Sequence, residues 1–93
     1  MAKITWTKWS VKDLRSIYDF ISLDSSFYAA RFIQKLISRV EQLVELPESG
    51  RIVPEKEDPA IRELIEGNYR IIYRIHRGNV TILRIHNSAR KIK

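Results

Sequence analysis

Residues 68–90 read NYRIIYRIHRGNVTILRIHNSAR. Two runs, Tyr69–His76 and Val80–His86, alternate apolar and polar side chains with a period of two, and Arg77-Gly78-Asn79 separates them, which is the pattern of a β-hairpin. On the first run the alternation sorts Tyr69, Ile71, Tyr73 and Ile75 to one face and Arg70, Ile72, Arg74 and His76 to the other. The first set suits a core. Arg84 and His86 join the second set if the loop is the three residues 77–79, whereas a two-residue loop shifts the register by one and turns both inward. Burying them without partners is costly, so the expectation is a three-residue loop. No acidic residue follows Glu66, and the outer face of this hairpin therefore carries charge of one sign.

Upstream, Ile61–Glu66 reads as a further strand joined through the turn Gly67-Asn68. RIVPEKEDPAI, residues 51–61, holds two prolines and a charged cluster, so it reads as a loop with a brief strand at Arg51–Val53. The first half changes period. After a short strand around Ile4 and Trp6, Ser10 stands as an N-cap, and Val11, Leu14, Ile17, Tyr18 and Ile21 share one helical face. The residues LDSS, 23–26, interrupt it. A second helix then aligns Ala30, Ile33, Leu36, Ile37, Val40, Leu43 and Val44, and Pro47 and Gly50 close it. So short a connection predicts a helical hairpin. The expected fold is α+β and two-layered, β-α-α-β-β-β, with the helical hairpin packed on one face of an antiparallel sheet and the other face uncovered. Residues 1–93 are expected to form a single domain.

The net charge is +6, and its placement is informative. Residues 1–59 hold nine Lys/Arg against nine Asp/Glu, while residues 60–93 hold eight against two, Glu63 and Glu66. A field concentrated on one third of the chain favours an anionic partner such as nucleic acid or an acidic protein segment. The chain has no cysteine, which excludes disulfide and thiolate chemistry. Two histidines without cysteine fall short of a metal's ligand set, so no metal and no cofactor is expected. No apolar run approaches the roughly 18 residues of a membrane span, and MAKITWTKWS lacks the apolar centre of a signal peptide. The expected location is cytoplasmic, with no membrane partner.

Three segments, LPESGRIVPE (46–55), IRELIEGNYRIIYRI (61–75) and VTILRIHNSAR (80–90), together with the element order, resemble the RelE/ParE superfamily of type II toxin–antitoxin toxins. The resemblance runs from Trp6 to Arg90. It implies a toxin neutralised by a cognate antitoxin, meeting operator DNA only through the antitoxin complex. RelE-like members are ribosome-dependent endoribonucleases that cut mRNA; ParE-like members poison DNA gyrase and are not nucleases. In one nuclease branch a glutamate, the arginine of the YR strand and a histidine followed by tyrosine do the chemistry. Arg70 and His86 match those positions and Glu55 stands for the glutamate, but Asn87 replaces the tyrosine. In another branch an arginine precedes the turn where this chain has Glu66. The closing segment His86-Asn87-Ser88-Ala89-Arg90 and the run RELIEGNYRIIY resemble the ParE-like side, which is the branch favoured. A non-toxic member acting only as a co-repressor is a third reading.

Arg70 and His86 are the catalytic candidates if the protein is a nuclease, since RNA cleavage needs a cation for the phosphorane and a group that exchanges protons at neutral pH. His86 reads equally as a strand-end histidine bonded to backbone. Arg62, Arg70, Arg74, Arg84 and Arg90 are the candidates for contact with target or nucleic acid; Arg70, Arg74 and Arg84 either bind phosphates or lie over the sheet and pair with Glu63 and Glu66. Arg62 and Glu63 read as a structural pair. Trp6 and Trp9 read as core and helix-edge packing rather than base stacking.

Overall fold

The computed structural model describes residues 1–88. Its elements are β1 (Ile4–Trp6), α1 (Lys8–Ser22), α2 (Ser26–Glu41), a 3-10 turn (Gln42–Val44), β2 (Arg51–Ile52), β3 (Ile61–Glu66), β4 (Tyr69–His76) and β5 (Asn79–Asn87). The five strands form one sheet in the order β1-β5-β4-β3-β2. The expected α+β, two-layer arrangement is the one observed, with one refinement. β1 runs parallel to β5, so the sheet is mixed, because the helical hairpin carries the chain back over the sheet before β2 begins.

The helices start where side chains replace missing hydrogen bonds. Thr7, not Ser10, caps α1: its Oγ1 accepts from the Ser10 amide at 3.1 Å, and the Ser10 hydroxyl returns a bond to the Thr7 carbonyl at 2.7 Å. Ser25 caps α2 in the same way. Leu36, Val40 and Leu43 from the helical half meet Leu64, Ile71, Tyr73, Val80, Ile82 and Ile85 from the sheet in one core. Ala29 rather than Ala30 turns inward on α2. Each of the large aliphatic residues contributes about 1.5–3 kcal/mol by leaving water.

The last hairpin departs from expectation in a way that preserves its consequence. His76 pairs with Asn79, so the loop is the two residues Arg77 and Gly78, both left-handed at φ 51° and 78°. A regular two-residue hairpin would turn Arg84 and His86 inward. Instead a β-bulge intervenes: Tyr73 pairs with Ile82 and Ile72 with Arg84, leaving Leu83 as the extra residue. The Thr7 hydroxyl lies 2.8 Å from the Ile82 carbonyl and 3.0 Å from the Leu83 carbonyl and ties both to the start of α1. Arg84 and His86 thus share the face of Ile72 and Arg70.

That face is not uncovered. The chain after β2 folds over it, and Val53 packs with Ile61, Ile72 and Leu83 in a second, smaller cluster. Gly50 makes the close approach possible: its amide donates to the Tyr73 hydroxyl at 2.9 Å, and a Cβ there would lie 2.5 Å from that oxygen.

Candidate functional site

Glu63 is the residue around which the helix-free face is organised. It is 1% exposed, and an isolated carboxylate at such a position would be prohibitively costly. β3 and β4 place Glu63 across from Ile72 and Ile65 across from Arg70, so the guanidinium lies beside the carboxylate. Arg70 Nε donates to Glu63 Oε1 at 2.6 Å, and Arg51 Nε donates to the other oxygen at 2.5 Å. From the overlying loop Glu55 accepts from both terminal nitrogens of Arg70, at 2.8 and 2.9 Å. Two arginines and two glutamates therefore form a chain in which charges of opposite sign alternate. The bonds to Glu55, reinforced by Glu63, outweigh burial and hold Arg70 charged far beyond the ordinary arginine range.

Arg84 is tethered too. Its Nε and Nη2 bond the two oxygens of Asp13 on α1 at 2.8 and 3.0 Å, and the Ile85 amide donates to Asp13 Oδ2 at 2.8 Å. The arrangement has a topological cause. β1 ends opposite Ile82, so beyond that point the outer edge of β5 lacks a strand, and a helix carboxylate takes the exposed amide. The pairing raises the Arg84 pKa against the opposing effect of burial.

Arg62 belongs to neither arrangement. Its register partner is the core residue Tyr73, so it points away from Arg70. Its nitrogens hold the carbonyls of Pro59, Glu48 and Gly50 at 3.1, 3.2 and 3.0 Å. The expected Arg62–Glu63 pair does not form: one residue pins loop carbonyls while the other meets Arg51 and Arg70. Glu66 is held from α2 by Arg39 and Lys35, at 3.3 and 3.6 Å, rather than by an arginine of the hairpin. Arg74 is presented to solvent, with 46% of its side chain exposed and Asp58 at 4.0 Å, and Arg77 in the turn is exposed as well. His86 pairs with Arg70 across the strands and is half-buried. Arg90 lies outside the described residues.

Arg74, Arg84 and His86 come together with Lys56 around a groove of about 380 Å³ floored by Ile61, Ile72 and Leu83. An apolar floor beneath a cationic rim accepts a ligand with a flat or aliphatic part and a negative charge. A larger groove of about 660 Å³ lies at the helical hairpin, between Ile21, Phe27, Tyr28, Phe32, Arg31 and Lys35. Beside it Phe20, Leu23, Phe27 and Tyr28 are 64–82% exposed, a concentration of apolar surface that a monomer rarely leaves to water. This patch is hidden in the sequence because helical periodicity assigns apolar residues to the inner face by default. The signal was the excess of aromatic residues, Phe20, Phe27 and Tyr28, at positions outside the inner stripe.

The same architecture recurs in solved toxin–antitoxin structures. One, of a chromosomal ParDE system from P. aeruginosa, superposes with a TM-score of 0.76 over 94% of this chain and 96% of that one at 27% identity. A second, of the RelBE2 complex from Mycobacterium tuberculosis, gives 0.68 over 94% and 92% at 20% identity and shows the fold alone. These define the class: a small α+β toxin of the RelE/ParE superfamily. Within that class residues 4–92 match the family described as ParE toxin of type II toxin–antitoxin system, parDE, and the chain belongs to it. The protein called Toxin RelE2 from Caulobacter vibrioides is 35% identical over 91 residues, covering 97% of this chain and 99% of that protein.

Proposed function

We propose that this toxin is a ParE-like growth inhibitor that binds DNA gyrase and carries out no bond-breaking step of its own. The observation that carries the reading is the state of Arg70. A nuclease needs this cation, or its equivalent, to meet the scissile phosphate. Here it is 5% exposed and its nitrogens are engaged by Glu63 and Glu55. Glu55, which would have to act as a base, is spent on the same contact. Asn87 stands where the nuclease branch has a tyrosine.

A cognate antitoxin would meet the protein at the helical hairpin. Phe27, Tyr28 and Phe32 offer apolar contacts, while Arg31 and Lys35 favour acids beside them, which suits an amphipathic helix with an acidic margin. Operator DNA is then reached through the antitoxin, and the reading keeps the protein in the cytoplasm beside its target.

The test follows DNA breakage and transcript cleavage in one culture induced to express the toxin, with purified gyrase assayed alongside. Gyrase-linked double-strand breaks with intact transcripts are expected. Transcripts cut within codons over intact DNA would overturn the reading in favour of ribosome-dependent cleavage, for which the adjacency of His86 and Arg70 is the structural argument.

A further inference from the structure

The two tryptophans have different fates in the fold. Trp6 packs against the core, but Trp9, assigned to packing by its position in the sequence, is 51% exposed. Two ammonium groups attend its ring: Lys8 Nζ lies 5.1 Å and Lys12 Nζ 5.0 Å from the centroid. No acidic side chain in the first turn of α1 offsets them. The nearest acid along the helix, Asp13, is occupied by Arg84 and the Ile85 amide.

The platform is connected to the sheet groove through α1, because Asp13 on that helix holds Arg84, which lines the groove. Trp9 and Asp13 are four residues apart on α1, so they stand on one helical face with their backbone positions about 5.4 Å apart along the axis, and Asp13 is the residue that grips Arg84. The register extends the same field further. Thr5 pairs with Thr81 and Thr81 with Arg74, so Arg74 shares the outward face with Lys3, two residues before Thr5. An exposed indole flanked by cations, on the helix that grips a rim residue of a groove with an apolar floor, offers a stacking surface with phosphate partners beyond it.

We propose that Trp9, Lys8, Lys12 and Arg74 form a binding track for single-stranded nucleic acid. A base stacks on the indole, the two lysines leave the ring for the flanking phosphates, and the strand continues into the groove past Arg74. Single strands are favoured over duplex because their bases are available to stack. They are favoured over an acidic peptide because a carboxylate side chain makes no use of the indole face.

The test titrates the full-length toxin, without gyrase or ribosome, with a fluorescein-labelled 15-nucleotide oligothymidylate, its ribo counterpart and a duplex of equal length. The expected result is salt-dependent binding of one or both single strands in preference to duplex. Trp9→Ala should weaken it about 5- to 150-fold, and Lys8→Gln/Lys12→Gln should lower the salt slope by about 0.7 for each phosphate left without its lysine. Trp6→Phe leaves Trp9 as the reporter, whose emission should be quenched; should that variant fold poorly, the labelled strand reads binding on the wild type and on Trp9→Ala without it. DNA and RNA arms distinguish the source of the strand. Absence of binding at low salt, equal binding of duplex, indifference to Trp9→Ala, or equal competition by polyglutamate would each overturn the proposal. Because neither candidate target is present, such a failure leaves the gyrase reading standing.

Discussion

Replacing Arg70 by alanine separates a structural arginine from a catalytic one. The substitution removes the charge-assisted hydrogen bonds of Arg70 to Glu63 and to both oxygens of Glu55. Glu55 is at the surface of a loop and can turn to water, but the Glu63 side chain is wholly buried and, among the described residues, keeps as its remaining cation Arg51, whose own side chain is 65% exposed. Breaking one partner of a buried ion pair costs about 3–5 kcal/mol. In a domain of this size each kcal/mol lowers the melting temperature by about 4–8 °C, so Arg70→Ala should melt roughly 12–40 °C below the wild type in a calorimetric or circular-dichroism scan. Adding Glu63→Leu should recover much of that stability, since it removes the stranded carboxylate. A variant that melts within about 2 °C of the wild type yet is no longer toxic would refute the reasoning and return Arg70 to the chemistry.

Other outcomes follow from neighbouring residues. Gly50→Ala sets a Cβ 2.5 Å from the Tyr73 hydroxyl and 2.6 Å from the Glu63 carbonyl, and overpacking of this kind should cost about 1–3 kcal/mol in chemical denaturation. Tyr73→Phe leaves the Gly50 amide and the Pro47 carbonyl without their buried partner and should cost about 1–3 kcal/mol. Burial raises the Tyr73 pKa, so its contribution is present below the ordinary tyrosine value of about 10 and lost as pH rises from there through the folded value; the alkaline fall in stability should be shallower in Tyr73→Phe. Phe27→Ser/Tyr28→Ser, at exposed positions, should leave the melting temperature within about 2 °C while weakening antitoxin binding at least about tenfold by calorimetry.

The layer architecture was legible because it rests on period. The inward set Tyr69, Ile71, Tyr73 and Ile75 needs only alternation, and the helix faces need only spacing. What escaped the sequence depends on contacts between distant residues. The bulge at Leu83 is held by Thr7, more than seventy positions away, whose hydroxyl bonds the carbonyls of Ile82 and Leu83, and nothing in LRIH announces it. Desolvation cost puts Arg84 and His86 on the outer face, where they lie, but the three-residue loop expected from it is replaced by a two-residue turn and a bulge. A cost fixes where side chains end up, and the backbone has more than one way to put them there. The partners of the arginines were equally hidden: Asp13 and Glu55 sit in segments rich in both signs of charge, where neither acid stands out. Arg74 is where the sequence expectation of an exposed cation holds.

An acid-free hairpin therefore does not mean an unneutralised one. Three other segments each send an acid to it: Glu63 from β3 and Glu55 from the loop reach Arg70, and Asp13 from α1 reaches Arg84. Ion pairs so placed do more to fix geometry than to add stability, since each charge also had to leave water. Here they bind the loop to one end of the outer face and α1 to its edge, and among the described residues the cations left for a partner include Arg74, Arg77, Lys8 and Lys12. The positive field that the sequence displays along one hairpin is thus partly neutralised by the fold, at Arg70 and Arg84. On the proposal made for Trp9, a partner that reads charge would meet it at the start of α1 as well as at Arg74 and Arg77, which stay exposed.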